Sequence, residues 1–373
     1  MFMKPVARFF FVFALTAAAP ALADGWPTVE TAARQAYMID ANTGTVLFDK
    51  DGETHMPTSS MSKIMTAYLV FEAIQNGQLS LEQTVPVSER AWRMQGSKMF
   101  VHVGDQVKVE DLIRGMIIQS GNDACVVLAE AVAGSEESFA RKMTERAKEL
   151  GLTDSHFANA TGWPDPDHYS TPKDLTTLAQ RLMKDFPQYY HYYSEKDFDY
   201  GGINQGNRNP LLYTMNGADG VKTGHTDIAG YGLIGSAQRD GRRLIMVING
   251  TDSMQARADE SRKILEWGFS QFHDVNVAEA GKIVDKLPVW YGEAADVDVV
   301  SPETVQMTLP YGTNATAKIT GQTPVAAPIS KGQEIAQLVI SVPGQPDKSY
   351  KLVAANDVPK LGFWGRIGRK LGM

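Results

Sequence analysis

The chain has 373 residues, of which 43% are hydrophobic and 21% are charged. These proportions are typical of a globular protein long enough for two domains, and they argue against a disordered chain or a membrane-spanning bundle. The formal net charge of −7 argues against nucleic acid as a partner, because phosphate backbones bind surfaces rich in lysine and arginine.

The first 23 residues have the three parts of a secretory signal peptide. Lys4 and Arg8 supply positive charge, residues 9–15 form a short apolar core, and residues 21–23 provide a small-residue cleavage site. The apolar core is too short to span a bilayer comfortably. We therefore predict export of the protein and removal of residues 1–23.

The next part of the chain combines a hairpin with a block of helices. Residues 36–40 and 45–48 flank a short turn and predict a β-hairpin. Residues 60–74 carry apolar side chains at helical spacing and predict a core helix that begins close to Ser60. Four more helices are predicted at 109–119, 123–132, 137–150 and 171–184, with a loop rich in Gly, Pro and Asp at 159–170.

The second half of the chain is richer in strands. Strand patterns appear at 231–237 and 244–248, and a helix pattern follows at 258–272. This order predicts an α/β (α+β) domain at 26–272 whose sheet takes strands from both ends of the domain. The pattern then changes to short β-like runs broken by Gly and Pro, which predicts a small all-β, sandwich-like domain at 273–356.

Ser60 and Lys63 form the pattern S-x-x-K. On a helix this spacing places the hydroxyl and the amine on one face, so Lys63 can contact Ser60. A serine hydroxyl becomes a strong nucleophile when a base removes its proton, and a partly desolvated lysine beside a second cation can be neutral enough to do so. The same pattern occurs at Ser170 and Lys173, where we interpret it as a helix cap followed by proline.

Two further short motifs follow in chain order. Ser120 and Asn122 stand at the junction of two predicted helices, and Lys222-Thr223-Gly224 stands just before a predicted strand. Taken alone, the first pair reads as helix caps and the second motif as a turn that ends at Gly224. The three motifs in this order nevertheless form a specific signature, which favours a catalytic interpretation.

Together with Pro57-Thr58 and the sequence at 222–226, these motifs resemble the serine D-alanyl-D-alanine carboxypeptidases among the low-molecular-weight penicillin-binding proteins. The resemblance covers nearly the whole chain. It implies a β-lactamase/transpeptidase-like catalytic domain followed by a small all-β domain. It also implies removal of the terminal D-alanine from peptidoglycan pentapeptide through an acyl-enzyme, with no metal or organic cofactor.

The resemblance also implies a role for each motif residue. Ser60 would be acylated with Lys63 as the base, while Ser120 and Asn122 would relay protons and hold the substrate backbone. The residues expected to bind substrate are Asn122, Lys222, Thr223, Gly224, His225, Arg257 and Arg208. Among them, Lys222 and Thr223 would face the substrate carboxylate, and the backbone N–H groups of Ser60 and His225 would form the oxyanion hole.

Arg257 and Arg208 match basic positions of the resembled family. We favour Arg257 as the helper at the terminal carboxylate, since a substrate with a free carboxylate requires fixed cations. For Arg208, a solvated loop arginine is an equally good interpretation. Fixed cations on an otherwise acidic protein favour a carboxypeptidase over an endopeptidase.

Other positions refine the prediction. Gly121 replaces the aspartate of class A β-lactamases, and no E-x-x-L-N segment supplies a deacylating glutamate, so rapid penicillin hydrolysis is disfavoured. The resemblance implies instead a long-lived acyl complex with β-lactams. His168 and Tyr169 lie in the 159–170 loop, and a surface role is the favoured interpretation of His168. Cys125, the single cysteine, cannot form an internal disulfide and is expected to be a buried apolar side chain.

Residues 357–373 combine an apolar stripe with basic side chains. In a helix, Leu361, Trp364, Ile367 and Leu371 would share one face, with arginines opposite. This pattern predicts a peripheral membrane anchor on the periplasmic face of the inner membrane. The alternative is a helix that docks on the protein's own β domain.

Two other functions remain open from the sequence. A D,D-endopeptidase or a weak β-lactamase would use the same motifs. A peptidoglycan-binding protein with a role in cell shape could retain the fold with little turnover, although the intact motifs argue against it.

Overall fold

The computed structural model describes residues 25–362. The predicted signal peptide at 1–23 and the end of the predicted anchor at 363–373 lie outside the described residues. Within residues 25–362, no helix is long and apolar enough to cross a bilayer. The described chain forms a first unit of mixed helices and strands and a second unit built from strands.

The first unit alternates between sheet and helix. Its strands are β1 (Gln35–Asp40), β2 (Val46–Lys50), β3 (Thr84–Pro86), β4 (Gln106–Lys108), β5 (Asp197–Tyr200), β6 (Ile203–Gly206), β7 (Ala218–Thr226), β8 (Gly230–Arg239) and β9 (Arg242–Thr251). Its helices are α1 (Lys63–Gln75), α2 (Glu89–Arg93), α3 (Val109–Ile117), α4 (Asn122–Ala133), α5 (Glu136–Glu149), α6 (Pro172–Asp185), α7 (Leu211–Thr214) and α8 (Met254–Gln271).

A five-stranded antiparallel sheet in the order β2-β1-β9-β8-β7 forms the centre of this unit. Both faces of strand β9 are buried. Leu244 and Met246 join the same apolar cluster as residues of α8, whereas Ile245 and Val247 join the cluster of the helical block. Because successive side chains point to opposite faces of a strand, a doubly covered strand must be apolar at every position. This requirement explains the continuous apolar run at 244–248.

Helix α1 passes through the middle of the helical block. It contacts α3, α4, α5 and α6, and its side chains are buried along almost its whole length. A helix that is apolar all round is expected at such a central position. A short 3-10 turn, Ser59–Ser62, leads into α1 and packs against β7. The central helix thereby fixes the position of Ser60 relative to the sheet.

The structure confirms the predicted opening hairpin, the helical block and the β8–β9 hairpin. The Lys222 motif precedes β8 as predicted, but Lys222 to Gly224 themselves lie within β7, an edge strand that was not predicted. The short β3–β4 and β5–β6 ladders were not predicted. Strands of three or four residues are too short to show a periodic pattern.

The second unit consists of strands. They are β10 (Phe272–Ala278), β11 (Ile283–Trp290), β12 (Asp296–Val300), β13 (Val305–Pro310), β14 (Thr316–Thr320), β15 (Val325–Ala326), β16 (Glu334–Ser341) and β17 (Lys348–Ala354). Strands β10 and β13 pair with each other, and the other six form a sheet in the order β14-β16-β17-β12-β11-β15. Helix α8 ends at Gln271 and β10 begins at Phe272, so the two units join without a linker.

Candidate active site

The nucleophile turn brings Ser60 and Lys63 together. Lys63 Nζ lies 2.8 Å from Ser60 Oγ. A 3-10 turn has three residues per turn, so side chains at i and i+3 overlap and the S-x-x-K spacing produces this contact. Ser59 precedes Ser60 with a φ of 49°, a left-handed conformation that costs energy for a residue with a side chain and that often occurs at functional sites.

Lys63 is buried and has a complete set of hydrogen-bond partners. Besides Ser60, its Nζ contacts Asn122 Oδ1 at 2.8 Å and the Thr161 carbonyl oxygen at 2.7 Å. Burial lowers the pKa of Lys63 to about 8, and the positive charge of Arg208 acts in the same direction. A lysine with this pKa can act as a base near neutral pH.

Ser120 and Asn122 occupy the predicted junction, between α3 and α4. Ser120 is buried with a φ of 61°, and within residues 25–362 its Oγ has no hydrogen-bond partner. Asn122 opens α4 and donates from Nδ2 to the Gln95 carbonyl oxygen at 2.7 Å, which fixes the orientation of its amide. A side chain on Gly121 would crowd the Gly115 carbonyl oxygen at 3.2 Å, so this junction favours glycine over the aspartate of class A β-lactamases.

Asp123 supports this junction, and the sequence motifs did not indicate it. Its carboxylate accepts hydrogen bonds from the backbone N–H groups of Met99, Phe100 and Val101. These bonds hold the segment that precedes β4 against the N-terminus of α4. No local pattern marks the role of Asp123, because its partners lie more than 20 residues earlier in the chain.

The Lys222 motif lies on β7, the edge strand beside the nucleophile turn. Lys222 is buried, and its Nζ contacts the Thr223 carbonyl oxygen at 3.3 Å. Burial holds the pKa of Lys222 well below its usual value, with a further contribution from the charge of Lys63. A Cβ on Gly224 would lie 2.9 Å from the Thr58 carbonyl oxygen, so glycine permits the close approach of β7 to the turn.

The two arginines stand next to each other. Arg257, in the first turn of α8, is buried, and its guanidinium lies 5.9 Å from the centre of the Tyr231 ring. Burial lowers the pKa of Arg257 to about 10. Arg208 is exposed, but it donates to Ser97 Oγ, and its carbonyl oxygen lies 3.5 Å from Arg257 Nη2. Arg208 is therefore a loop arginine that contacts both Ser97 and Arg257.

A cleft of about 370 Å³ opens over Ser60. Its walls include the predicted residues Asn122 and His225, and also Ser97 and Trp163, which the motifs did not indicate. Trp163 is 46% exposed, an unusual position for a large apolar ring. An adjoining apolar pocket of about 540 Å³ shares Trp163 as a lining residue.

His168 is buried, so the predicted surface role is wrong. Its side chain is only 5% exposed and packs edge-on against Phe157. The ring lies 2.6 Å from Ser62 Oγ, within the nucleophile turn. Cys125 is also buried, as predicted, and burial raises the pKa of its thiol to about 12. Within residues 25–362, no cluster of His, Cys, Asp and Glu side chains could hold a metal ion.

Comparisons with known proteins identify the family. Residues 18–253 match the family model described as D-alanyl-D-alanine carboxypeptidase. The chain belongs to the D-alanyl-D-alanine carboxypeptidase family. Residues 272–360 of this carboxypeptidase match the model described as penicillin-binding protein 5, C-terminal domain. The predicted fold class, an α/β (α+β) β-lactamase/transpeptidase-like catalytic domain with a second, small all-β domain, is confirmed.

Individual relatives cover most of the carboxypeptidase. It is 37% identical over 369 residues to D-alanyl-D-alanine carboxypeptidase DacC of Escherichia coli strain K12, an alignment that covers 96% of this chain and 92% of that protein. The solved structure of penicillin binding protein 5 from Haemophilus influenzae has 34% identity and a TM-score of 0.81, and covers 90% of this chain and 100% of that chain. Penicillin-Binding Protein D2 from Listeria monocytogenes, solved in the ampicillin-bound form, has 30% identity and a TM-score of 0.60 over 65% of this chain and 99% of that chain.

Proposed function

We propose that this serine carboxypeptidase removes the terminal D-alanine of a peptidoglycan stem peptide by acylation of Ser60, with Lys63 as the general base. The observation that carries this assignment is the 2.8 Å contact between Lys63 Nζ and Ser60 Oγ. With a pKa of about 8, roughly a tenth of Lys63 is neutral at pH 7. The base is therefore available without a histidine or a metal ion beside the nucleophile.

The hydrogen bonds of Lys63 suggest how the proton moves. A neutral amine keeps two N–H donors and gains one lone pair. The two donors match Asn122 Oδ1 and the Thr161 carbonyl oxygen, which leaves the lone pair for the Ser60 hydroxyl. Ser60 Oγ then bonds to the carbonyl carbon of the penultimate D-alanine while its proton passes to Lys63. Backbone N–H groups of Ser60 and His225 would stabilise the resulting oxyanion.

Collapse of this intermediate breaks the peptide bond. The leaving amine of D-alanine needs a proton. We assign to Ser120 the transfer of this proton from Lys63 to the amine, since Ser120 Oγ has no hydrogen-bond partner within the described residues. Water then attacks the acyl-enzyme ester and gives a proton to Lys63. That proton returns to Ser60 Oγ as the shortened peptide leaves with a new carboxylate.

Lys222 and Arg257 are buried basic side chains whose charges act on each other, and they suit the terminal carboxylate of the substrate. Lys222, Thr223 and Arg257 are the residues that we assign to this group. Strand β7 is an edge strand, so one side of its backbone is available to an extended peptide. A peptide aligned along β7 would place its carboxylate near the cations and its scissile bond at Ser60.

A β-lactam would occupy the same site as a mimic of the D-alanyl-D-alanine unit. The ampicillin-bound relative supports this proposal. Within residues 25–362, the hydrogen bonds of Lys63 and Ser60 include none to a carboxylate that could activate a deacylating water. We therefore expect a long-lived adduct. Mass spectrometry after exposure to benzylpenicillin would support the proposal if the peptide that contains Ser60 carries the adduct, and would contradict it if folded protein carries none.

Replacement of Arg257 with glutamine is expected to lower kcat/KM for a D-alanyl-D-alanine peptide by roughly 10- to 100-fold, because a charge-assisted hydrogen bond to the substrate carboxylate is lost. Steady-state release of D-alanine measures the effect. Arg262→Gln, an exposed arginine on the same helix, is the matched control and should keep the original kcat/KM. Equal values of kcat/KM for the two variants would contradict the assignment of Arg257 to the substrate carboxylate.

We also propose that the carboxypeptidase is periplasmic and attached peripherally to the inner membrane through its C-terminal segment. Residues 357–373 contain four basic side chains against one acidic side chain. Val358 is buried and bridges to Ile329, so the chain is fastened to the second unit before it reaches the basic part. The backbone N–H of Leu361 donates to the carbonyl oxygen of Tyr291 at 2.8 Å, and the Tyr291 ring stacks on Trp290, which is 55% exposed. An exposed tryptophan at this point suits a lipid interface.

Deletion of residues 363–373 is expected to abolish sedimentation with vesicles that contain anionic lipid and to leave peptide hydrolysis in solution unchanged. The deletion removes three basic residues, each of which contributes about 1 kcal/mol near an anionic surface, and all of the apolar stripe except Leu361. It retains the described contacts of Val358. A matched variant that reverses Arg366 and Arg369 to glutamate should weaken sedimentation. Unchanged sedimentation of the deleted protein would refute the anchor.

A further inference from the structure

We propose that His168 is a positioning residue for Ser60 and Lys63, and that it acts through a buried chain of side-chain hydrogen bonds. The inference rests on the proposed catalytic roles of Ser60 and Lys63. His168 belongs to none of the three sequence motifs. It lies on the loop between α5 and α6, more than 100 residues after the nucleophile.

The hydrogen bonds around His168 fix which ring nitrogen carries the proton. The backbone N–H of Ala158 donates to Nδ1 at 3.2 Å, so Nδ1 is the acceptor. The proton is therefore on Nε2, which donates to Ser62 Oγ at 2.6 Å. Ser62 is left to donate its own hydroxyl proton to Thr58 Oγ1. The chain of donors runs in one direction, from the loop to the turn.

Thr58 and Ser62 enclose the nucleophile in the sequence. Both side chains are fully buried, and their contact closes a ring across the turn that carries Ser60. The turn includes Ser59 in a left-handed conformation, which persists only where surrounding contacts hold it. The hydrogen bond from His168 to Ser62 connects the turn closed by the Thr58–Ser62 contact to the loop between α5 and α6.

The other end of the His168 loop reaches Lys63 directly. Thr161 belongs to the same loop, and its carbonyl oxygen accepts from Lys63 Nζ at 2.7 Å. His168 therefore connects the segment that holds the base to the turn that holds the nucleophile. A displacement of this loop would change the position and the hydration of Lys63 together.

The charge state of His168 suits a permanent donor. Burial lowers the pKa of His168 to about 4. The charge of Asp165 opposes this shift, whereas His156 and Lys63 act in the same direction as burial. The ring is therefore neutral at the pH at which Lys63 works. One N–H donor and one acceptor are then always available for the two observed bonds.

The test compares two substitutions in the full mature chain. His168→Gln retains a donor of suitable length toward Ser62, whereas His168→Asn retains an acceptor for Ala158 but is too short to reach Ser62. The rate of acylation by a chromogenic penicillin is measured against pH. We expect His168→Asn to lose roughly 10- to 100-fold, since small displacements at a reacting pair have effects of this size. We expect His168→Gln to stay within about threefold of the original rate.

The pH profile separates positioning from general stability. If the loop loosens in His168→Asn, water reaches Lys63 and its pKa rises toward the ordinary value, so the rising limb of the profile moves to higher pH. Asp123, Glu136, Cys125, Arg208 and Lys222 also act on Lys63, and these substitutions leave them in place. His102→Gln, an exposed histidine outside this loop, is the control and should keep both the rate and the pH position of the rising limb.

Equal losses in the Gln and Asn variants, or an unchanged rate and limb in the Asn variant, would overturn the positioning role. If His168→Asn does not fold, Ser62→Ala replaces it in the comparison, because it breaks the same bond from its other end. A loss equal to that of His168→Gln, or an unchanged rate and rising limb, would then overturn the positioning role. Failure of the unaltered protein to form an adduct on Ser60 would instead refute the proposed function itself. The two proposals therefore fail in different measurements.

Discussion

Replacement of Ser60 with alanine is expected to abolish both the covalent penicillin adduct and the release of D-alanine, with a loss in kcat of at least about 1000-fold. The hydroxyl oxygen of Ser60 is the atom that forms the acyl bond in the proposed mechanism, and Lys63 Nζ is placed 2.8 Å from it. Peptide mapping by mass spectrometry measures the adduct, and a fluorimetric assay of D-alanine measures turnover.

Ser170→Ala is the matched control for this measurement. Ser170 begins the second S-x-x-K pattern of the chain, but its Oγ contacts Ser155 Oγ at 2.7 Å rather than a lysine. We expect this variant to form the adduct at the original rate. An adduct that persists in folded Ser60→Ala protein would place the nucleophile elsewhere. Thermal unfolding of both variants verifies that the comparison is between folded proteins.

Replacement of Lys63 with arginine is expected to lower the acylation rate by roughly 100- to 10,000-fold, the range typical of a lost general base. Arginine remains protonated at accessible pH and cannot accept the Ser60 proton. Lys173→Arg, at the partly exposed lysine of the second pattern, which pairs with Glu53, should have no effect on this rate. Stopped-flow mixing with a chromogenic penicillin measures both variants.

The unaltered protein should show the matching pH dependence. The active form of Lys63 is the neutral amine, and its pKa is lowered to about 8, so the acylation rate should rise with pH and level off above that value. The rising limb should be absent in Lys63→Arg. A rate that falls with pH across this range would mean that protonated Lys63 is the active form and would contradict its role as the base.

The parts of the site that the sequence predicted are those in which chemistry requires a local spacing. Ser60 and Lys63 touch because three residues make one 3-10 turn, and Ser120 and Asn122 share a helix junction. Such relations depend on neighbouring residues alone and are visible in one sequence. The order of the three motifs led to the family resemblance, and the family match confirms that resemblance.

The sequence did not predict that the Lys222 motif lies within a strand, and this omission has a different cause. Strand β7 contains two charged residues, a histidine and two glycines between Ala218 and Thr226, so it lacks the alternating apolar pattern of a strand. It is held in the sheet by its pairing with β8 and by the close approach that Gly224 permits. Tertiary contacts override local propensity at such an edge strand.

The prediction for His168 failed because a loop rich in Gly, Pro and Asp is normally a surface feature. Which of its side chains turns inward depends on the partner at Ser62, about 100 residues earlier. Trp163 and Ser97 were not indicated for the same reason, since they become cleft walls only when distant segments meet. Local sequence patterns do not indicate which distant segments contact each other in the folded protein.

The burial of Cys125 has a practical consequence. The chain contains no other cysteine, and this thiol lies on α4, the helix whose first residue, Asn122, contacts Lys63. A thiol that is buried and has a pKa raised to about 12 reacts with a labelling reagent only when the helix opens. The protein thus contains an intrinsic reporter of local opening at its catalytic centre, which requires no engineered probe. Its labelling rate with and without a bound acyl group would show how strongly acylation closes the fold around Lys63.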